Sequence, residues 1–215
     1  MKTMKNQPES NAVCSSGEKA ILEAAETLFA KKGFDAVSMS AIAKLANTSK
    51  PNIYHHFKNK NELYLAVMKA AVQRSSMLLD VLEDTPGTFT QNLTDFAAGQ
   101  LVNILSHSRS TQLILRETLS GCTQHGQEIA MHVVSEVFTR LAAMVHQGQQ
   151  EKEFRDNIDP SLAAFMVVAA NMFYFQANPI MQHIPEVGFI YDASTFSDGV
   201  MDILLNGVIQ KKEDK

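Results

Sequence analysis

Between residues 49 and 60 the chain gathers polar side chains, Ser49, Lys50, Asn52, Tyr54, His55, His56 and Lys60, with Pro51 among them, around an apolar pair, Ile53 and Phe57. An asparagine carboxamide donates and accepts at once and so matches the N6 and N7 edge of an adenine, while a lysine ammonium matches the acceptors of guanine. A proline ring can lie against a thymine methyl. This is chemistry for reading a duplex rather than for making or breaking bonds. No nucleophile elbow, phosphate loop, dinucleotide fingerprint or metal-ligand pair on a suitable motif occurs, so neither an enzyme nor a cofactor is expected. His125, Glu128 and His132 fall at i, i+3 and i+7, which could bring them to one helix face. Exposed His and Glu recur at such spacings by chance and no thiolate supports them, so no metal site is expected.

The elements that must hold these residues read as helices. Ser15 with Glu18 makes a capping box ahead of a stripe of Ile21, Ala24, Ala25, Leu28 and Phe29, and Gly33 closes that helix at about residue 32. Ser38 caps a short helix with Ile42, Leu45 and Ala46 on its buried side, ended by Asn47, which tolerates a left-handed turn. Ser49 caps the next, where Pro51 is harmless because a first turn has no backbone donor to lose. Asn59 and Glu62 form a reciprocal cap for a long helix over 60–82, and Pro86 and Gly87 mark a break. Further helices are predicted at 89–107, 110–121, 125–150, 160–178 and 195–211, with Asp159 before Pro160 as a start signal. Alternating Val, Ile and Thr strands are missing, so the fold class is all-α.

Two short helices joined by Ala46, Asn47, Thr48 and Ser49 have the form of a helix-turn-helix. The run from Ile21 to Leu65 resembles the DNA-binding region of the tetracycline-repressor (TetR) family, through Ala24, Ala25, Leu28, Phe29, Gly33, Phe34, Ser38, Ile42, Ala43, Ala46, Ser49, Lys50, Ile53, Tyr54, His56, Phe57, Lys60, Glu62 and Leu63. It departs from the family pattern at Asn47, Thr48 and Pro51, and Pro51 would alter which base edge the helix start meets. The resemblance implies a three-helix N-terminal DNA-binding domain followed by a helical ligand-binding and dimerisation bundle. Lys50, Pro51, Asn52 and His55 are then expected at the bases. Ser38, Ser40, Ser49, Tyr54, His56 and Lys60 are expected to clamp phosphates, and Ser38 and Ser49 to act as caps as well whether or not DNA is bound. The expected organisation is a tail over 1–15, the helix-turn-helix domain over 16–62 and the bundle over 63–215.

Charge supports this polarity. Residues 1–60 hold nine Lys and Arg against five Asp and Glu, whereas residues 61–215 hold ten against eighteen, although the whole chain is at −4. A basic end on an acidic body is what a nucleic-acid partner at that end requires. Met1 to Gly17 lacks the apolar stretch of a secretory signal, and the apolar run over 162–175, broken by Asn171, reads as too short for a membrane span of about 20 residues. A cytoplasmic protein without a membrane partner is therefore expected, with Cys14 and Cys122 as unpaired reduced thiols.

For the second half the resemblance implies a small-molecule effector and a homodimer without naming the ligand. Soft apolar side chains that could line a pocket are Phe96, Leu101, Leu105, Ile114, Met131, Phe138, Met144, Met172 and Phe173, with Arg116 and Glu117 as a polar anchor or an internal ion pair. Phe165, Phe175, Val200, Ile203 and Leu204 suit the intersubunit helix pairs of the family. The expected function is a regulator released from a palindromic operator by its effector. The alternative is a helix-turn-helix protein acting without one, as an activator or architectural factor.

Overall fold

The computed structural model describes residues 16–119 and 123–208, and all regular structure among them is helical. The 1–15 tail, Ser15 of the capping box, Cys14 and Cys122 lie outside the described residues, as does the side chain of His125.

The first three helices are α1 (Ser16–Lys32), α2 (Met39–Leu45) and α3 (Lys50–His56). Gly33 ends α1 at φ 80°, its N–H bonded to Phe29 O at 2.8 Å, a left-handed conformation that costs glycine nothing. Ser38 Oγ accepts the Ala41 N–H at 3.1 Å and Ser49 Oγ the Asn52 N–H at 3.2 Å, so both short helices start on the predicted caps. Between them Asn47 sits at φ 50°, the Thr48 N–H reaches Ala43 O at 2.9 Å and the Asn47 N–H reaches Lys44 O at 3.4 Å. Those two bonds make a Schellman turn, which consumes the last carbonyls of α2 and sets the angle to α3.

Helix α4 (Lys60–Asp84) begins on Asn59, whose Oδ1 accepts the Glu62 N–H at 2.8 Å. The return bond differs from the expected reciprocal cap, because the Glu62 carboxylate takes the Lys58 N–H at 2.7 Å. Glu62 thereby ties the end of the α3–α4 turn instead of the cap residue. The 25 residues of α4 run through two cores. Leu63, Tyr64, Val67 and Met68 pack with Ile21, Phe29, Ile42 and Ile53, and the Tyr64 ring meets Phe29 and Phe34 edge-on at 5.0 Å each. Leu79 and Leu82 belong to a second cluster with Phe96, Leu141 and Val167.

The rest of the chain comprises α5 (Phe89–Ser106), α6 (Ser108–Leu119), α7 (Thr123–Ile129), a π-helical turn (Ala130–Val134), α8 (Ser135–Gln150), α9 (Pro160–Met181), a 3-10 turn (Gly188–Tyr191) and α10 (Ala193–Asn206). The single helix expected over 125–150 is thus broken by the π turn, which periodicity cannot reveal because apolar spacing continues across it. The last helix starts two residues earlier and stops sooner than expected, where Gly207 turns to φ 77°. Arg140 of α8 clamps α4, with Nε to Glu83 at 3.0 Å, Nη2 to Glu83 at 2.8 Å and Nη2 to Asp80 at 2.7 Å.

Helix α9 corrects one expectation. It runs for 22 residues and is long and apolar enough, by length and composition, to cross a membrane. One stripe of it, Ala164, Val167, Asn171 and Tyr174, is buried within the bundle, and Asn171 Nδ2 donates to Ala97 O at 2.8 Å and to Gln100 Oε1 at 3.0 Å. A carboxamide bonded to a neighbouring helix on the inner stripe is how a core helix satisfies buried polar groups.

Candidate nucleic-acid interface and bundle cavity

The starts of α2 and α3 put Ser38, Ser40, Ser49, Lys50 and Pro51 on the exposed surface, with Asn52 partly covered. Ile53, at the centre of α3, is fully buried, so the helix turns its polar side outward around that anchor. Tyr54 is 47% exposed and stands on the outer side of α3. His55 is exposed and His56 half-buried, their rings 5.3 Å apart. Asn52 Nδ2 donates to Thr48 Oγ1 at 2.9 Å, a bond that steadies the carboxamide while leaving its oxygen and second N–H available.

Lys60 stands apart from the other expected phosphate contacts. Its ammonium donates to Phe34 O at 3.0 Å and Val37 O at 3.1 Å and lies 4.1 Å from the centre of the Phe34 ring. Two of its three donors therefore hold the α1–α2 turn together, ahead of Ser38.

Below the three-helix head, α4, α5, α6, α8 and α9 line a partly open cavity of about 380 Å³. Three of the expected pocket residues, Ile114, Phe138 and Met172, line it, and so does Phe165, which was expected at the dimer surface and is 57% exposed. Phe96 and Met144 lie in the second core and Leu101 in a third with Tyr174 and Ile190. Leu105, Met131 and Phe173 face outward. Arg116 leaves the cavity altogether, its Nη2 donating to Ala30 O at 3.1 Å at the end of α1, and Glu117 accepts the Tyr64 hydroxyl, so the two do not pair with each other. Of the remaining dimer candidates Ile203 is exposed, and Phe175, Val200 and Leu204 are half-buried. Glu128 accepts the Asn61 Nδ2 at 3.0 Å, and no group of three or more metal-ligating side chains occurs among the described residues.

Sequence reasoning missed the cavity's polar rim. Arg74, Gln100, Asn103, His107 and Ser110 all line it. Arg74 carried a legible signal, since it is the only charge between Lys69 and Asp80 and falls one turn from Ala71 and Leu78 on a helix with an inward face. Ser110 carried none, because its role depends on which helix it meets.

Helix α6 joins the two sites. On one side Ser110, Thr111, Ile114, Leu115 and Thr118 border the cavity. On the other, Leu113 is buried in the head's core, Arg109 Nη1 donates to Thr27 Oγ1 at 3.2 Å and the Ser110 hydroxyl donates to the Glu26 carboxylate of α1.

An all-helical chain with a capped helix-turn-helix at one end and a hollow bundle at the other defines a class, the helix-turn-helix regulators of transcription. Residues 21–67 match the model of bacterial regulatory proteins of the tetR family, and residues 90–195 that of the tetracyclin repressor-like C-terminal domain. The chain is 31% identical to the HTH-type transcriptional regulator YdeS of Bacillus subtilis (strain 168) over 145 residues, 66% of this chain and 69% of that one. It is 26% identical to the HTH-type transcriptional regulator RutR of Escherichia coli (strain K12) over 179 residues, 79% of each. Among solved structures it is similar in fold to the transcriptional regulator FadR from Bacillus subtilis in complex with stearoyl-CoA, at TM-score 0.75 and 19% identity over 89% of this chain and 99% of that one. It is likewise similar to the TetR family regulator PfmR from Thermus thermophilus, at TM-score 0.66 and 19% identity over 88% and 99%. This protein belongs to the TetR family of transcriptional regulators.

Proposed function

We propose that the protein is a cytoplasmic repressor, without enzymatic activity, that holds a near-palindromic operator as a homodimer and leaves it when a small molecule enters the bundle cavity. Each subunit lays the start of α3 in a major groove, with Lys50, Pro51, Asn52 and His55 toward the bases and Ser38, Ser40, Tyr54 and His56 toward phosphates. Half-sites then lie about 34 to 36 Å apart or a multiple of that.

The observation that carries this reading is the double role of α6, which borders the cavity and bonds α1. The contacts favour α6, packed beside α4, as the transmitting helix, because its polar side chains bond α1 of the head directly. A ligand that fits the cavity better with α6 displaced weakens operator binding by its differential affinity, a coupling of about 1 to 3 kcal/mol. That FadR was solved with stearoyl-CoA, a ligand with a long apolar tail, supports an apolar occupant for a bundle of this architecture.

Dimerisation is supported by the outer stripe of α9, where Leu162, Met166, Phe173 and Ile180 are all exposed at helical spacing. Solvated apolar rows of this kind call for a partner, and a second copy supplies an identical face by two-fold symmetry.

Selection of bound sites from random duplexes tests the reading. Recovery of an inverted repeat is the expected result, and failure to retard any duplex at low ionic strength would refute it. A selected operator whose affinity no ligand changes would favour the effector-free alternative.

A further inference from the structure

Among the described residues the cavity wall carries one formally charged side chain, Arg74 of α4. It stands where the chamber meets an outer groove against α1, and Ala71, His107 and Ser110 share that boundary. Its Nη2 donates to Ser110 Oγ at 2.8 Å, and the Ser110 hydroxyl passes its own proton toward the carboxylate of Glu26. Arg74, Ser110 and Glu26 thus form a relay from the cavity through α6 to α1.

Among the described residues every ion pair within 4 Å belongs to Arg140, so Glu26 acts on Arg74 only at a distance and through the hydroxyl. Burial lowers the pKa of Arg74, with the charge of Glu26 opposing that shift. A guanidinium stays protonated regardless, and what results is a partly desolvated cation lacking a direct counter-ion. Among the described residues no Asp or Glu lines the chamber to repel an incoming anion. Val72, Leu115, Val137, Phe138, Leu141 and Met172 make the rest of the wall suited to hydrocarbon.

Building on the effector-cavity reading, we infer that the ligand is an amphiphile with one anionic head, a carboxylate or a phosphate, which pairs with Arg74, draws the guanidinium off Ser110 and so slackens the Ser110 tie to Glu26. An anion forms shorter and stronger bonds with a guanidinium than a neutral hydroxyl does, which gives the exchange its direction. Loss of the charged donor weakens one of three polar ties along the α1–α6 seam, the others being Arg109 to Thr27 and Arg116 to Ala30 O. Head chemistry then governs both which molecules are accepted and whether the DNA-binding domain responds.

The test is calorimetric titration of the full-length protein with dodecanoate, dodecyl phosphate, dodecanol and dodecyltrimethylammonium, each below its micelle-forming concentration. At least one anion should bind, with dodecanol about 10- to 100-fold weaker and the cation rejected. The stronger of the two anions identifies the head. Arg74→Gln should bring the anions down to the level of dodecanol while leaving dodecanol unchanged, a selective loss that a general loosening of the bundle does not produce. Should Arg74→Gln fail to fold, Arg74→Lys keeps a point charge and should retain the preference for anion over alcohol. Ser110→Ala should keep anion binding yet blunt the effect of the anion on operator affinity. Silence from both anions, equal affinity for dodecanol and dodecanoate, or an anion preference that survives Arg74→Gln overturns the inference. With operator binding intact, such a result leaves the repressor reading standing; failure to bind any duplex removes that reading whatever the titrations show.

Discussion

Asn52 and Lys60 divide along a line that residue type alone does not draw. Thr48 holds the Asn52 carboxamide at 2.9 Å without exhausting it, so the side chain is oriented before DNA arrives. Asn52→Ala should therefore relax preference at one base pair, by about 1 to 3 kcal/mol, with little change in binding to unrelated sequences. Competition gel shifts with single-base operator variants measure this, and an equal loss on every sequence would contradict it. Lys60 faces its own backbone, with Phe34 O at 3.0 Å and Val37 O at 3.1 Å. Lys60→Ala should lower the melting temperature, because it strips two carbonyls of a charged donor at a cost of about 1 to 3 kcal/mol. If Lys60 is mainly such a strap, the salt slope of DNA binding will change by clearly less than the roughly 0.9 expected for a lost phosphate contact.

At the scale of elements the chain repeats one device. Asn47 after α2 and Lys152 after α8 both adopt positive φ, at 50° and 65°, and each closes a Schellman turn. The second turn delivers Glu153, whose carboxylate accepts the Phe89 and Thr90 N–H groups at 3.1 and 2.8 Å and so caps α5 from across the bundle. Those bonds, Thr90 first and opposed by burial, hold the Glu153 pKa below the usual glutamate range. Because the folded state prefers the ionised form, the contribution is complete above the ordinary glutamate pKa of about 4.3 and lost as pH falls through the lowered folded pKa. Glu153→Gln should thus cost stability at neutral pH and narrow its difference from the parent as the medium is acidified, read as melting temperature against pH. A constant difference at all pH values would show that the charge of Glu153 does not matter. The Asn47 turn was legible because its bonds are local. Glu153 was not, since its partners are more than 60 residues away in the chain.

At the scale of the molecule, the proposed dimer rests on what α9 leaves uncovered. Its inner stripe is used up by the bundle, while Phe173 on the outer side is 71% exposed. A charge placed there would have to be desolvated at a two-fold interface beside its own copy. Phe173→Glu should give monomers in analytical ultracentrifugation and greatly weaken operator binding while leaving helix content unchanged. A variant that stays dimeric would exclude this face as the interface.

Capped helices, the helix-turn-helix and its polar tip were determined by the sequence alone. Each rests on bonds between residues three to five apart and on a 3.6-residue apolar period, and both are written along the chain. The family resemblance followed from the same stretch. Tertiary structure alone decided which of the soft apolar residues face the cavity, that Arg116 turns to α1 while Arg74 turns inward, and that α6 as well as α4 touches both sites. Amphipathic period says that a helix buries a face but not against what, and where several helices surround a hollow, only their packing distinguishes wall from core and core from interface.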